Sequence, residues 1–431
     1  MIQSLLSFLD ASPVNYFAVA TLEERLSAAG FHKLDAAAPM PELHAGDQVY
    51  FTKNDSSLYA FRIGQQPLTD GGIRMICAHC DSPTFRVKPN PEMLGDGRIV
   101  RLNTEVYGGA ILSTWFDRPL SLAGRVMLRT SDPIHPETRL LRINRPILTI
   151  PNLAIHFNRQ VNDGVAIGKQ KDVLPILGII AAQLEHKNWL VNLIAQELEV
   201  EVEKILDFDL YLYDTTPAQT LGLNNEFVQS GRLDDLSMVH AGLEALLSEN
   251  ACRNNRHTQV LAIFDNEETG SGTKQGAASP FLRSLLERMV MAQGGNADDY
   301  YRCVEQSFMV SADNAHAWHP NYSEKYDPTN HPVMGGGPVI KFNAAQKYAS
   351  DADSAAVFEE ICRLAGVPCQ KFVNHSDIAG GSTLGNILTS NIPLRGVDMG
   401  NPIWAMHSVR ETGNCNDHIY CIKAFSKFFE V

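Results

Sequence analysis

The sequence predicts an α/β protein interrupted by a β-rich insertion, and three observations lead there. Short continuous apolar runs, of strand length only, alternate with stretches of helical spacing in residues 1–88 and again in 227–431. Between 89 and 226 the texture changes. Prolines become frequent (Pro89, Pro91, Pro119, Pro133, Pro136, Pro146, Pro151), and short β-type runs alternate with turn residues. Finally, several of the apolar runs stop at His, Asp or Glu, residues that are costly to bury without a partner. A chain of 431 residues suits two domains at roughly 100–200 residues each.

In chain order, residues 1–35 read as helical. Leu5, Leu6, Phe8 and Leu9 precede a break at Ala11-Ser12-Pro13, and Thr21 with Glu24 has the spacing of a capping box that opens a second helix, which stops at Gly30. Val49–Thr52 and Ser57–Ile63 read as two strands joined by the turn Asn54-Asp55-Ser56. Arg74–Ala78 is a buried strand that runs into His79-Cys80-Asp81. Inside the insertion, Gly124–Arg129 and Arg145–Ile150 are β-type, and Val173–His186 carries some helix. After 226, Gly231-Arg232-Leu233-Asp234-Asp235 leads into a helix over Leu236–Leu247. The run Val260–Phe264 is a buried strand ending at Asp265-Asn266-Glu267-Glu268, with Gly270, Gly272 and Gly276 beyond. Ser307–Ala312 is a strand ending at Asp313-Asn314, and Leu394–Val397 is a further strand with His407 in the loop that follows. Asp417–Phe429 closes the chain with helical spacing.

Composition narrows the function. Hydrophobic residues make up 44%, enough for a large core. A net charge of −13 argues against nucleic acid or an anionic membrane as the main partner. An acidic substrate would need local positive charge against that field. The N-terminus lacks a basic leader and places Asp10 within its apolar part, unlike a secretory signal. The longest apolar run, Val173–Ala182, falls well short of the ~20 residues of a spanning helix. Cys77 and Cys80 form one C-x-x-C with no second pair to complete a structural zinc site, so the cysteines read as reduced thiols of a cytosolic protein, with a redox pair as the alternative.

His79, Asp234, Glu267, Glu268, Asp313 and His407 all sit at or just after strand-like or pre-helical ends. In open α/β sheets, ligands bind outside the carboxyl ends of the strands, where residues distant in sequence converge. A lone histidine more often packs in a core, and a Glu-Glu pair more often faces water. The recurrence after apolar strands is what points to metal. Two histidines and four carboxylates match two divalent ions of the zinc type. With one Asp bridging, each ion takes one His and one further carboxylate, which leaves one Glu free as a general base toward a water activated by the ions. Neighbouring residues at a strand end point in opposite directions, so Glu267 and Glu268 divide naturally into base and ligand; spacing does not say which is which. Asp81 stands where it can accept the second N–H of His79.

At these residues the sequence resembles the M18 metallopeptidases, the aspartyl aminopeptidase family. The matching segments span nearly the whole chain: Ala78–Pro83, Asn152–His156, Arg232–Leu236, Phe264–Glu268, Ala315-His316-Ala317 with His319–Tyr322, Gly337–Lys341 and Ala405–Glu411. The resemblance implies a zinc-aminopeptidase-like α/β/α catalytic domain (1–88 and 227–431) with an inserted β-rich dimerisation domain (89–226). It implies His79, Asp234, Glu268, Asp313 and His407 as ligands of two divalent ions, Asp234 bridging; zinc is the default, and manganese or cobalt fits the same donors. Glu267 would be the general base and Asp81 would orient His79. The expected activity is removal of N-terminal Asp or Glu from peptides, in the cytoplasm. The expected partners are further copies of the chain, as dimers assembled into a tetrahedral dodecamer, without nucleic acid or membrane. His156 matches a histidine that enters a neighbouring subunit's active site and would polarise the substrate carbonyl. Lys341 matches a basic residue that meets the substrate's acidic side chain.

The sequence departs from the family pattern at Cys80, Asp235, Thr269 and Asn314, where Thr, Asn, Val and Met are expected. Asp235 matters most, because it adds a carboxylate beside the bridging position. His316 and His319 read as structural or as supports behind the ligands, and His375, Asp377 and Gly380–Thr383 as pocket lining. The glycine-rich run lacks the Lys and the spacing of a P-loop. Two rivals remain: the same chemistry with neutral specificity, and a non-catalytic, shell-like scaffold that retains the fold.

Overall fold

The computed structural model describes residues 1–179, 188–253 and 255–431. They divide into two compact units. The first comprises Met1–Asp81, Ala218–Met406 and Glu411–Val431; the second comprises Ser82–Pro217 and His407–Arg410. Position 89 thus falls inside a strand of the second unit, Thr84–Gly95, and position 226 lies just before the strand Phe227–Ser230 of the first.

The first unit is built on a nine-stranded sheet. Its centre is four parallel neighbours in the spatial order Thr258–Phe264, Ile73–His79, Phe308–Ala312, Arg395–Gly400. These strands are buried on both faces, so they read as continuous apolar runs rather than as alternation. The two faces are nevertheless distinct. Ile76, Ala78, Leu261 and Ile263 pack into one core with residues of the helices Ile2–Ala11, Asn15–Ala28, Leu233–Leu246, Ala352–Ala365 and Cys415–Glu430. Met75, Cys77, Val260, Ala262 and Phe264 pack into a second core with those of Phe281–Ala292, Ala297–Glu305 and Leu384–Asn391. The period-2 alternation of a strand sends adjacent residues into opposite cores, and the result is an α/β/α sandwich.

The outer strands complete the sheet. Gln48–Lys53 and Ser57–Arg62 form an antiparallel hairpin joined by the three residues Asn54-Asp55-Ser56, of which Asn54 and Asp55 have positive φ. Val339–Phe342 runs antiparallel to Arg395–Gly400 and parallel to the edge strand Gln370–Val373.

The second unit carries a six-stranded antiparallel sheet in the order Glu137–Arg142, Leu120–Leu128, Ile205–Asp214, Thr84–Gly95, Ile99–Tyr107, Ile176–Ile179. Its own core includes Phe85, Trp115, Leu122, Val126, Leu190, Ile194 and Leu212.

Some local expectations fail. Thr21 is not a cap: the second helix already begins at Asn15, because Tyr16, Val19, Leu22 and Leu26 form one buried stripe. The Thr21 hydroxyl instead donates back to the Phe17 carbonyl at 2.8 Å. Arg145–Ile150 makes only isolated bridges, at Leu148 and Thr149. Of the helix expected over Val173–His186, Ile176–Ile179 is strand and 180–187 lie outside the described residues.

Candidate metal centre

Three of the four central parallel strands end in functional side chains. Ile73–His79 ends in His79, 1% exposed. Phe308–Ala312 hands over to Asp313, whose N–H donates to the Met399 carbonyl at 2.9 Å. Thr258–Phe264 hands over to Asp265, and Glu267 and Glu268 follow on a single 3-10 turn. Asp234 and Asp235 open the helix Leu233–Leu246 in non-helical conformation, with a cis peptide bond between them.

Four buried side chains meet here. One ligand atom each from His79, Asp234, Asp235 and Asp313 lies within 4.8 Å of the others. A second group, His79 with Glu267 and Glu268, meets the same limit, and both glutamates are half-buried. The strand-end argument that Glu267 and Glu268 point opposite ways therefore fails. The pair sits on a helical turn, not on extended chain, and its carboxylates converge.

Asp81 sets that turn. Its Oδ1 and Oδ2 accept the main-chain N–H groups of Glu267 and Glu268, each at 3.1 Å. Its role toward His79 is shared: the His79 Nδ1 lies 3.0 Å from the Asp81 main-chain oxygen and 3.4 Å from its Oδ1. This leaves Nε2, 3.8 Å from Asp234 Oδ1, as the atom that could meet an ion. Asp265 is buried and takes both Asn15 Nδ2 contacts at 3.0 Å and the Asn266 N–H at 2.8 Å, anchoring the start of the turn. Asp235 accepts from the His79 N–H and from Asn314 Nδ2, each at 3.2 Å. Glu411 accepts the Asp234 N–H at 3.0 Å. These supports of Asp265, Asp235 and Glu411 were not read from the sequence. The one signal available for the first was an acid directly after a buried run.

Lys341 is held beneath Asp313 by main-chain and side-chain contacts. It is 3% exposed. Its ammonium donates to the main-chain oxygens of Asp313 at 2.7 Å and Asn314 at 3.2 Å, and stands 3.5 Å from Asp313 Oδ1. His407 and His156 belong to the second unit. There the His407 Nδ1 lies 3.2 Å from the Gly109 carbonyl, and His156 is exposed. His316, His319 and His375 line one pocket of about 360 Å³ together with Tyr322, Lys325 and Phe372. Cys77 and Cys80 are buried free thiols, pushed up by burial; the Cys80 thiol donates to the carbonyls of Ser56 and Phe264.

The electrostatics call for a cation. Burial, reinforced by Asp313, Asp81 and Asp234 and opposed by His79, pushes the Glu267 carboxyl up to about 8. Burial and its acidic neighbours likewise raise Asp235 and Asp313. For His79, burial acts downward, but the Asp81 hydrogen bond and the charges of Asp235 and Glu267 prevail and raise it. So many carboxylates held together out of water repel one another unless positive charge lies among them. Imidazole nitrogen with carboxylate oxygens is a zinc-type donor set, and the residues present fit that group.

The model of the aminopeptidase I zinc metalloproteases (M18) matches residues 8–429. The chain is 50% identical over 429 residues to a probable M18 family aminopeptidase 2 of Clostridium acetobutylicum, covering 100% of this chain and 98% of that protein. It is 44% identical over 431 residues to another protein of that description in Ectopseudomonas mendocina, again covering 100% and 98%. Among solved structures, the cryo-EM structure of the Ape4 and Nbr1 complex matches with a TM-score of 0.95 at 36% identity, covering 99% of this chain and 85% of that one. The S. cerevisiae mApe1 dodecamer matches with a TM-score of 0.86 at 26% identity, covering 99% and 96%.

Proposed function

The chain belongs to the M18 family of zinc metallo-aminopeptidases, and from that premise we propose that it releases N-terminal aspartate and glutamate from peptides at a two-ion centre. The observation that carries the reading is the convergence of His79, Asp234, Asp235 and Asp313 within 4.8 Å in a buried, carboxylate-rich site. His79, Asp234, Glu268, Asp313 and His407 would hold the ions. When bound, two zinc ions supply Lewis acidity toward water and the scissile carbonyl; manganese and cobalt suit the same donors.

The protein's own groups do the rest. Glu267 takes a proton from the attacking water and delivers it to the leaving amine. Asp81 keeps Glu267 and Glu268 at fixed height by holding both their N–H groups, and it sets the His79 tautomer. His156, supplied by a neighbouring subunit, polarises the substrate carbonyl. Its flanking side chains Leu153, Ile155 and Phe157 are 59%, 52% and 81% exposed, which suits a segment that another copy covers. The second unit thus serves dimerisation, with a dodecamer as the full assembly, as the yeast relative forms. All eight cysteines are free thiols, which suits the cytoplasm.

Acidic specificity rests on Lys341, whose charge sits under the site against a net charge of −13. The commitment of that ammonium to Asp313 and Asn314 favours a second reading, the same hydrolysis with neutral specificity. The test is release of the first residue from matched Asp-, Glu- and Leu-initiated peptides, with bound metal quantified and with chelator. Acid-selective, chelator-sensitive release supports the first reading, and equal release from Leu peptides supports the second. No release by fully metallated protein leaves a scaffold.

A further inference from the structure

The bend between the helices Ile2–Ala11 and Asn15–Ala28 reaches both segments that open the metal centre. It buries two polar residues, Ser12 at 0% and Asn15 at 7% exposure. The Asn15 amide is oriented by its own helix: its Oδ1 accepts the Tyr16 N–H at 3.0 Å, which turns Nδ2 toward Asp265. There Nδ2 lies 3.0 Å from Oδ1 and 3.0 Å from Oδ2. The carboxylate so held accepts the Asn266 N–H at 2.8 Å. Asn266 stands in the left-handed region at φ +61°, and its Oδ1 accepts from Thr273 Oγ1 at 2.8 Å and Gln275 Nε2 at 2.7 Å. The turn of Glu267 and Glu268 starts from that residue. Asp81 holds the two glutamate N–H groups, and Asn15, through Asp265, holds the point from which the turn departs.

The bend is also tied to the segment that carries Asp234. Arg232 Nε donates to the Ser12 carbonyl at 3.0 Å, and its Nη2 to the Leu9 carbonyl at 3.2 Å. The last carbonyls of a helix are natural acceptors for a guanidinium. Arg232 stands at φ +62°, two residues before Asp234. One bend therefore sets the separation between Asp234 and the turn of Glu267 and Glu268, and the proposed chemistry needs that separation constant.

We propose that Asn15 is a positioning residue for Glu267 and Glu268, acting through Asp265. The proposal rests on the reading of Glu267 as general base and Glu268 as ion ligand. Misplacing a reacting group by about 1 Å costs on the order of 100-fold in rate, and groups that orient a metal ligand are typically worth about 10–100-fold in affinity. An amide is what the position needs. A carboxylate there would oppose Asp265, and an apolar side chain of the same size would take the donor away from a buried acceptor.

The test exchanges donor and acceptor in the full chain. Asn15→Asp sets two carboxylates against each other. Asn15→Asp combined with Asp265→Asn restores a donor–acceptor pair in reverse, with the charge of the wild type. Zinc affinity is measured on each folded protein by competition with a chromophoric chelator, alongside kcat and KM on an Asp-initiated peptide and the thermal midpoint. Asn15→Asp is expected to bind zinc about 10-fold or more weakly, and to lose kcat by a similar factor with KM nearly unchanged. The exchange is expected to recover most of both. Asn15→Ala removes the donor without adding charge; it should move both quantities the same way by less, and it keeps the comparison in force where Asn15→Asp does not fold. A lowered thermal midpoint with wild-type zinc affinity and kcat in the folded variants overturns the proposal, because it assigns Asn15 to stability alone. An exchange no better than the single variant overturns it too. The zinc comparison needs no cleavage, so a wild type that binds zinc and releases no residue defeats the proposed activity and leaves the zinc result to decide the role of Asn15.

Discussion

Replacing Lys341 with methionine tests how the centre is held together. The change keeps an unbranched stem of similar length and removes the charge. The ammonium stands 3.5 Å from Asp313 Oδ1. At an effective dielectric of about 20, that attraction is about 5 kcal/mol before desolvation is counted. Removing one partner of a buried pair typically costs about 3–5 kcal/mol, because the remaining charge is left uncompensated. Two main-chain oxygens, those of Asp313 and Asn314, also lose their donor. In the metal-free protein we expect a stability loss of about 3–5 kcal/mol. With ions loaded, their charge replaces that of the ammonium beside Asp313, and the loss should shrink toward the about 1–3 kcal/mol of an unsatisfied carbonyl. The assay is urea unfolding with chelator and with zinc, read as midpoints; at about 1–3 kcal/mol/M the larger loss moves the midpoint by roughly a molar unit or more. An equal loss in both conditions, or under about 1 kcal/mol without metal, refutes the reasoning.

Three further outcomes follow from the same structure. A Cβ on Gly400 would lie 1.9 Å from the Asp313 main-chain oxygen, so Gly400→Ala should displace Asp313 and weaken metal affinity by about 10-fold or more, measured by competition with a chromophoric chelator. Zinc added to metal-free protein at pH 7 should release protons, since burial raises Asp235, Asp313 and Glu267 and the charges around His79 raise it; calorimetry in two buffers of different ionisation enthalpy reads the count, and no proton release contradicts the electrostatics. His240 and His418 are buried and bonded ring to ring at 2.9 Å, and burial lowers both. Their stabilisation is complete above the unfolded value of about 6.5 and is lost as pH falls below it. Thermal melts between pH 7 and 5 should show a decline that His240→Gln reduces; Glu244, held low by its His240 hydrogen bond, acts only further into acid.

The legibility of this chain followed burial. The four central strands were readable because strands covered on both faces must be continuously apolar, and several candidate ligands stood out because they broke such a run. His79, Glu267, Glu268 and Asp313 could be found without any contact information for that reason. Geometry within the turn was another matter. Whether Glu267 and Glu268 diverge depends on whether the backbone past Phe264 stays extended, and the 3-10 turn is imposed by Asp81, 186 positions away in sequence. Lys341 was reached only through the family resemblance, and its aim was not legible, because Asp313 and a substrate carboxylate would attract it alike. Thr21 misled because a capping-box spacing also occurs inside helices, where a buried stripe running back to Tyr16 outweighs it. Asp235 was recognised as an extra carboxylate, and its burial at the heart of the cluster comes from partners on two other segments, His79 and Asn314.

The most direct test of the central claim is release of the N-terminal residue from Asp- and Glu-initiated peptides by Glu267→Gln, with metal content measured on the same samples. The account predicts a rate about 10²–10⁴-fold below wild type with bound metal unchanged, because a proton carrier is lost while the ligands stay in place. A fully metallated variant within a few-fold of wild type would contradict it and move the base to another residue.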